Sequence, residues 1–591
     1  MPKRIRLVVH AFYVLLPLQF RVLYRQFLLR IIDLEALSIK ADVVGFLGQC
    51  AGVLIMFSLI DAARSFVTIP RATWSAEQYL ITTMMLVTGL ITVISWDAIF
   101  PDRRDVMVLA PLPVSPSTIL FAKMAASAAL LGLAILALNF ASGIVCPLRL
   151  TIQHASGWGF FQSLAAYWTT MIAASLFLYC SVLTVQGFLT LLLPRRLFLR
   201  LSAILQLAAF VLIFSVYFLQ PSFTTPAAMA AAKNHWMLAC SPSFWFFALL
   251  NQLNGSLPAN LTWLAWRAWI GTGTVISGAA ASLLLCYLRN MKKTVEEPDL
   301  LPGGRGSHWT PRLGSPLQTA IVLFSIRSLR RSRHHRVAFA FYLALVFSIG
   351  LSSLKNVLAA RPGGPPTTNF LISTFIMMTL IIIGLRSVFS LPISLNANWV
   401  LRTAQVHPTQ NYTAATRRSL LLFAIVPVCI GSTMLAFSFR PFHQTAIHIA
   451  VLALVGCILV DLSLIGFYKV PFTCSYLPGN LNIQFAFWGF FIVFVPLAIT
   501  GATYEQPALN SPFQSVCIVI VLASIASGLW AFNRYRAESA VLYFEELPPD
   551  LITTLGLAAV QRSRMVADVE GSQPRANTGN EEPSHISWDV S

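Results

Sequence analysis

An all-α polytopic membrane protein is the fold the sequence predicts, with about twelve transmembrane helices in two six-helix halves, each preceded by an amphipathic arm. Three observations carry that prediction. The 591 residues are 57% hydrophobic and only 11% charged, against about 25% charged in soluble proteins. The apolar residues fall into separate runs, several close to the roughly 20 residues that cross a bilayer as a helix. One order also occurs twice: a basic amphipathic stretch, then six apolar runs.

In chain order, residues 1–42 form the first arm, with Arg21, Arg25 and Arg30 beside Phe20, Leu23, Phe27, Leu28 and Ile31. That pattern predicts a helix lying on the membrane face. Apolar runs follow at 43–60, 79–96, 124–144, 167–191, 201–219 and 268–288, making a first half over 43–288. Between its fifth and sixth runs, residues 241–255 (SPSFWFFALLNQLNG) are aromatic and too short to cross. Phe244, Phe247 and Leu250 recur at helical spacing, which predicts a re-entrant or interfacial helix. Residues 289–316 are a polar linker containing PGGRG, and 317–336 form the second arm, ending IRSLRRSRHHR. The second half, 337–532, has runs at 337–354, 370–385, 419–437, 446–467, 485–499 and 516–532. The tail, 533–591, is polar and beyond Ser563 has the composition of a disordered segment.

The net charge of +19 excludes less than it would in a soluble protein. No zinc-finger or RNA-binding motif accompanies it, so a nucleic-acid partner is not predicted, and Lys and Arg collecting on the cytoplasmic side explains the excess. With both termini inside, only Arg64, Arg71, Arg149, Lys233, Arg267, Lys355, Arg361 and Arg440 of the 41 Lys and Arg fall outside. The first strong apolar run begins near Val43, so no signal peptide is predicted. The nine Cys form no C-x-x-C and read as small apolar residues. The ten His contain no H-E-x-x-H; His334 and His335 adjoin arginines, His443 and His448 flank a predicted outer loop, and no metal site is predicted.

The most informative loop is 97–116, DAIFPDRRDVMVLAPLPVSP, between the second and third runs. Asp102 can cap a short helix, because a carboxylate accepts from the free amides of the first turn. Asp105 stands three residues on, where a capping box places its partner. Val106 to Leu109 supply an apolar body, and Pro111, Pro113 and Pro116 end it. The bland reading is a rigid turn at the membrane surface; the functional one is a docking helix, with Arg103 and Arg104 in its first turn.

Residues 105–123, DVMVLAPLPVSPSTILFAK, resemble the loop after the second span of exporter-type ABC-transporter permeases. The matching positions are Asp105, Leu109, Leu112, Pro113, Val114, Ser115, Pro116, Ala122 and Lys123. The resemblance implies a coupling helix that receives motion from a separate ABC ATPase, working as a dimer and supplying ATP and Mg. No cofactor is then expected in this chain. It also implies an inner (plasma) membrane of a bacterium, membrane lipid around the spans and a transported substrate as partners.

The second half offers a counterpart. Residues 408–418, PTQNYTAATRR, open with Pro408 and end in a cation ten residues later, as 113–123 do. That alignment places Asn396, Asn398 and Trp399 where the first loop has its charges. A rival alignment pairs 112–115, LPVS, with 391–394, LPIS.

Chemistry of other kinds is absent from the sequence. No G-x-x-x-x-G-K-[ST] phosphate loop occurs, so ATP hydrolysis is expected in a partner and not here. Nucleophile-elbow and zinc-hydrolase patterns are missing too. Ionisable residues within the predicted spans are scarce, Asp461 standing out as a candidate intramembrane polar site. The favoured, bland reading is an acid near a helix end that snorkels or bonds a neighbouring helix, with Lys469 two turns on. An ion-coupled secondary transporter of six-plus-six spans usually needs several buried ionisable groups. The expectation is therefore an ABC-type exporter permease first, with that transporter or a non-transporting scaffold as alternatives.

Overall fold

The computed structural model describes residues 18–31, 43–67, 73–96, 114–151, 159–220, 231, 234–296, 313–359, 366–393, 398–403, 407–436, 442–473 and 483–544. Every regular element among them is helical. The first arm is α1 (Leu18–Ile31). The first half then contains α2 (Val43–Val67), α3 (Thr73–Ile94), α4 (Pro116–Leu138), α5 (Ser142–Thr151), α6 (Gly159–Leu192), α7 (Arg195–Leu219), α8 (His235–Cys240), α9 (Pro242–Asn254) and α10 (Thr262–Glu296). The second arm is α11 (Pro316–Arg331). The second half comprises α12 (Arg333–Ala359), α13 (Thr368–Phe389), α14 (Asn398–Thr403), α15 (Thr409–Leu435), α16 (Phe442–Ser463), α17 (Ile483–Ala508) and α18 (Pro512–Ser539).

Eleven of these helices are long and apolar enough to cross a membrane, and α17, 26 residues long, is the twelfth long helix. The protein is therefore an all-α polytopic membrane protein built as two six-helix halves, each with its arm. Several helices start or stop outside the apolar runs. The second, α3, begins at Thr73 and not at 79; the third, α4, at Pro116 and not at 124. The ninth, α15, begins at Thr409 and not at 419, and the eleventh, α17, continues to Ala508 and not 499. A helix needs satisfied backbone bonds, not uninterrupted hydrophobicity, so it runs on through Glu77, Lys123, Arg417 and Glu505 where a hydropathy window stops.

Lipid is as apolar as leucine, so helices associate here through close packing and interhelical hydrogen bonds. A Cβ added at Gly278 on α10 would lie 2.8 Å from Thr184 of α6, whose hydroxyl donates to the Val275 carbonyl at 3.1 Å. A Cβ at Gly384 on α13 would come within 2.5 Å of the Tyr342 ring of α12. A five-residue π-turn, Leu421–Ile425, interrupts α15 just before Pro427. Proline lacks the amide that would continue the α-helical ladder, and a π-turn is one way around it.

Each arm packs on the start of the third span of its half. Leu23 and Phe27 of α1 bury against Ile119, Ala122 and Ala126 of α4. Ile321 of α11 clusters with Tyr412 and Ala415 of α15, joined by Val470 and Leu542. We call the end of the bundle that holds the arms the arm end, and the opposite one the far end. A large apolar core fills each half. The two halves meet through their first and fifth spans: α7 against α12, and α17 against α2. The α7–α12 seam is largely aromatic. Phe341 lies edge-on to Phe210 and Phe214 at 5.9 and 5.5 Å, and the Ser215 and Ser348 hydroxyls bond at 3.1 Å.

Candidate functional site

At the arm end, the first loop enters the described residues only at its close. Asp102, Arg103, Arg104, Asp105, Leu109, Pro111 and Pro113 lie outside them, as does Asn396 of the second loop. Pro116 occupies the first turn of α4 behind Ser115, whose hydroxyl caps the helix by accepting from the Thr118 amide at 3.2 Å. Val114, like Phe20, Tyr24 and Leu28 of the arm, packs against the cluster of Leu23, Phe27, Ile119, Ala122 and Ala126. Lys123 is buried, with its ammonium 5.0 Å above the Phe27 ring. So Val114, Ala122 and Lys123, three positions of the loop motif, converge on α1.

In the second half, Pro408 stands as the N-cap of α15, as Ser115 does for α4. The buried faces agree with that pairing: Ile119, Ala122, Lys123, Ala126 and Ser127 on α4 match Tyr412, Ala415, Thr416, Ser419 and Leu420 on α15. This register differs by two residues from one that pairs Pro113 with Pro408. The rival placement at 391–394 falls at the other end of the loop, directly after α13, where the Leu391 carbonyl bonds His335 Nε2 at 2.9 Å. Asn398 is buried and its amide donates to the Thr473 carbonyl, while Trp399 beside it on α14 is 58% exposed.

Asp461 is fully buried near the arm end of α16. It does not snorkel. Arg417 of α15 holds it in a two-pronged pair, Nε to Oδ1 at 2.6 Å and Nη2 to Oδ2 at 2.9 Å. Such fork geometry is the strong form of a carboxylate bond. Lys469, the sequence neighbour, instead lies 5.4 Å over the Tyr543 ring. Around the pair, Asn533 of α18 donates to the Asp461 carbonyl at 2.7 Å. Arg386 of α13 donates to the Ser463 carbonyl at 2.9 Å and covers the Phe467 ring at 4.0 Å. Phe472, at φ +67°, is wedged beneath by Phe324, His335 and Phe389. A left-handed phenylalanine is uncommon; its amide bonds the Phe389 carbonyl at 2.8 Å and its carbonyl accepts from the Ile393 amide at 3.1 Å, which pins the conformation.

Buried charge is not scarce, contrary to the sequence expectation. At the far end of the first half, Glu77 is buried and accepts from the Asn251 amide of α9 at 3.1 Å. There α9 is inserted into the half and not laid on its surface: Phe244, Phe246 and Phe247 are fully buried, and Gly255 at φ +77° ends the helix. At the far end of the second half, His448 of α16 stands between Glu505 of α17, Nδ1 to Oε1 at 2.9 Å, and Thr374 of α13, Nε2 to Oγ1 at 3.0 Å. None of Glu77, Lys123, Arg417 or Glu505 lies inside a predicted run; all sit within ten residues of an edge. A cut placed where charge begins discards them. Runs extended by two turns at each edge would have caught them.

Among the described residues, no three of His, Cys, Asp and Glu gather as a metal would require. No protein-family model, no curated protein and no solved structure matches the chain.

Proposed function

We propose that this chain is the permease of an ABC-type exporter, with both halves fused and the ATPase on a separate polypeptide. The observation that carries this reading is the arrangement of the halves. Each offers its first and fifth spans to the other, α7 to α12 and α17 to α2, and each sets an arm on its third span next to the loop that precedes it. Two such bundles can rock about their shared seams, and the start of the third span, packed on the arm, can transmit a push from below. The motif at 105–123 supplies the family. In this reading the arm end is cytoplasmic, the membrane is a bacterial inner membrane, and Asp102 to Asp105 meet the ATPase. Their counterpart, Asn396, Asn398 and Trp399, offers amides and an exposed indole in place of charge.

The test is purification. The isolated chain is expected to hydrolyse no ATP, and an ATPase is expected to co-purify from the native membrane. Asp105→Lys is expected to abolish that association while the chain still inserts. ATP hydrolysis by the isolated chain, or an unchanged association in Asp105→Lys, refutes the reading.

A second reading has one observation in its favour. His448 and Glu505 are the kind of buried ionisable pair on which ion-coupled transporters depend. Uptake or efflux in vesicles that follows an imposed proton gradient without nucleotide would favour it.

A further inference from the structure

The Thr374 hydroxyl lies 2.8 Å from the Leu371 carbonyl and 3.0 Å from His448 Nε2. In the orientation that donates to Leu371, it accepts from Nε2, which then carries a hydrogen. One further proton lies on the line between Nδ1 and Glu505 Oε1, 2.9 Å apart. With that arrangement the pair is neutral overall: imidazolium with carboxylate, or imidazole with carboxylic acid.

The fourth polar atom is unused. Glu505 is only 3% exposed, and its Oε2 makes no hydrogen bond. A buried carboxylate oxygen without a donor is costly unless a proton or another donor reaches it. On α16, Gln444 and Thr445 precede His448 by four and three residues and so share its face. Both are buried, and Gln444 Oε1 and Thr445 Oγ1 are likewise unpaired. The Gln444 amide donates at 3.0 Å to the side chain of Asn510, which is exposed in the turn between α17 and α18. Polar groups thus lead from the far surface toward the dyad, while the rings of Phe370 and Phe375 stand 5.5 and 5.8 Å from that of His448.

We propose that His448 and Glu505 form a proton-binding site, loaded from the far end by way of Asn510 and Gln444, with Glu505 Oε2 as the seat of the incoming proton. A proton from water adds to Oε2; no other bond is made or broken. The loaded site is imidazolium with carboxylic acid, and carries one positive charge more than the empty one. The other titratable groups around it are few. His443 on α16 and Tyr504 on α17 are exposed; α15 and α18 bring the thiols of Cys429 and Cys517; α2 ends in Asp61 and Arg64; α12 has exposed Lys355; and α13 has only Arg386, at the arm end. The proposal goes beyond the exporter reading and does not depend on it, since a proton site can serve a pump driven by ATP or by a gradient.

The experiment is infrared difference spectroscopy on the full chain in phosphatidylcholine nanodiscs, titrated from alkaline to acid pH. A protonated-carboxyl component is expected to grow on acidification in the difference between the wild-type and Glu505→Gln titrations, apart from those of the other Asp and Glu side chains, and to persist when the same difference is taken in a Glu77→Gln background. Should Glu505→Gln fail to insert, Glu505→Asp keeps a carboxyl at the site, and the band is expected at a shifted frequency. The absence of a pH-dependent carboxyl component from the wild-type-minus-Glu505→Gln difference, or one that stays unshifted in Glu505→Asp, overturns the assignment.

Discussion

The far ends of the two halves solve the same packing problem with opposite chemistry. In the first, the short helix α9 is driven between α3, α6 and α10 and fills the space with phenylalanine. Phe247 lies 5.2 Å from the Trp74 ring, and Phe246 5.5 Å from that of Phe177. The acid there, Glu77, is tied to an amide, which does not titrate. In the second half, α17 is followed directly by a tight turn and α18. No inserted helix stands there among the described residues, and the acid Glu505 faces an imidazole. The contrast teaches that two halves of like topology can close the same end with different chemistry: one far end ties its buried acid to an amide, the other to an imidazole.

The largest effect should come from orphaning a buried charge in the second half. Arg417→Met leaves Asp461 without a partner and is expected to destabilise by about 3–5 kcal/mol, whereas Arg417→Met with Asp461→Leu should be neutral or stabilising by about 1–4 kcal/mol. Thermal unfolding in a mild detergent measures both. A double variant as unstable as the single would mean that the pair itself, and not the unpaired acid, carries the stability.

Comparable in size but different in kind is Phe247→Ala in the first half. Emptying a fully buried ring site costs about 3–5 kcal/mol, and here no compensating partner exists. Because α9 belongs to the far end of the first half alone, hydrogen exchange should rise in α9 and the start of α3 and stay unchanged around His448. Exchange that rises equally at both far ends would show the halves to be one cooperative unit and break the comparison.

The smallest effects concern the arm ends, where the halves resemble each other more. Ser115 caps α4, and Ser315 caps α11 in a reciprocal box with Gln318. Either serine changed to alanine should cost about 0.5–2 kcal/mol. Trp399→Ala, at an exposed position, should stay within about 0.5 kcal/mol. If the second loop docks the ATPase, the same variant should nevertheless weaken co-purification, and less severely than Asp105→Lys.

Much of this architecture was legible from residues alone. Apolar runs of sufficient length, and the recurrence of arm plus six runs, determine a twelve-helix protein in two halves, because a chain so poor in charge must satisfy its backbone inside a bilayer. The helical spacing of Phe244, Phe247 and Leu250 determines a helix at α9. The candidate site was less legible. Asp461 stood out because it interrupts an apolar run, but its partner Arg417 lies 44 residues away on another helix, and only the packing of α15 on α16 brings the two together. His448 stood two residues inside the edge of a predicted run, flanking an outer loop, and Glu505 six residues beyond the end of another. Whether an ionisable group near a helix end faces water or a neighbouring helix depends on how far the helix continues and which face it turns inward. Hydropathy averages over faces and ends where charge begins, so it is blind to both. Tertiary packing decided them, because only a neighbouring helix can replace the water that a buried charge gives up.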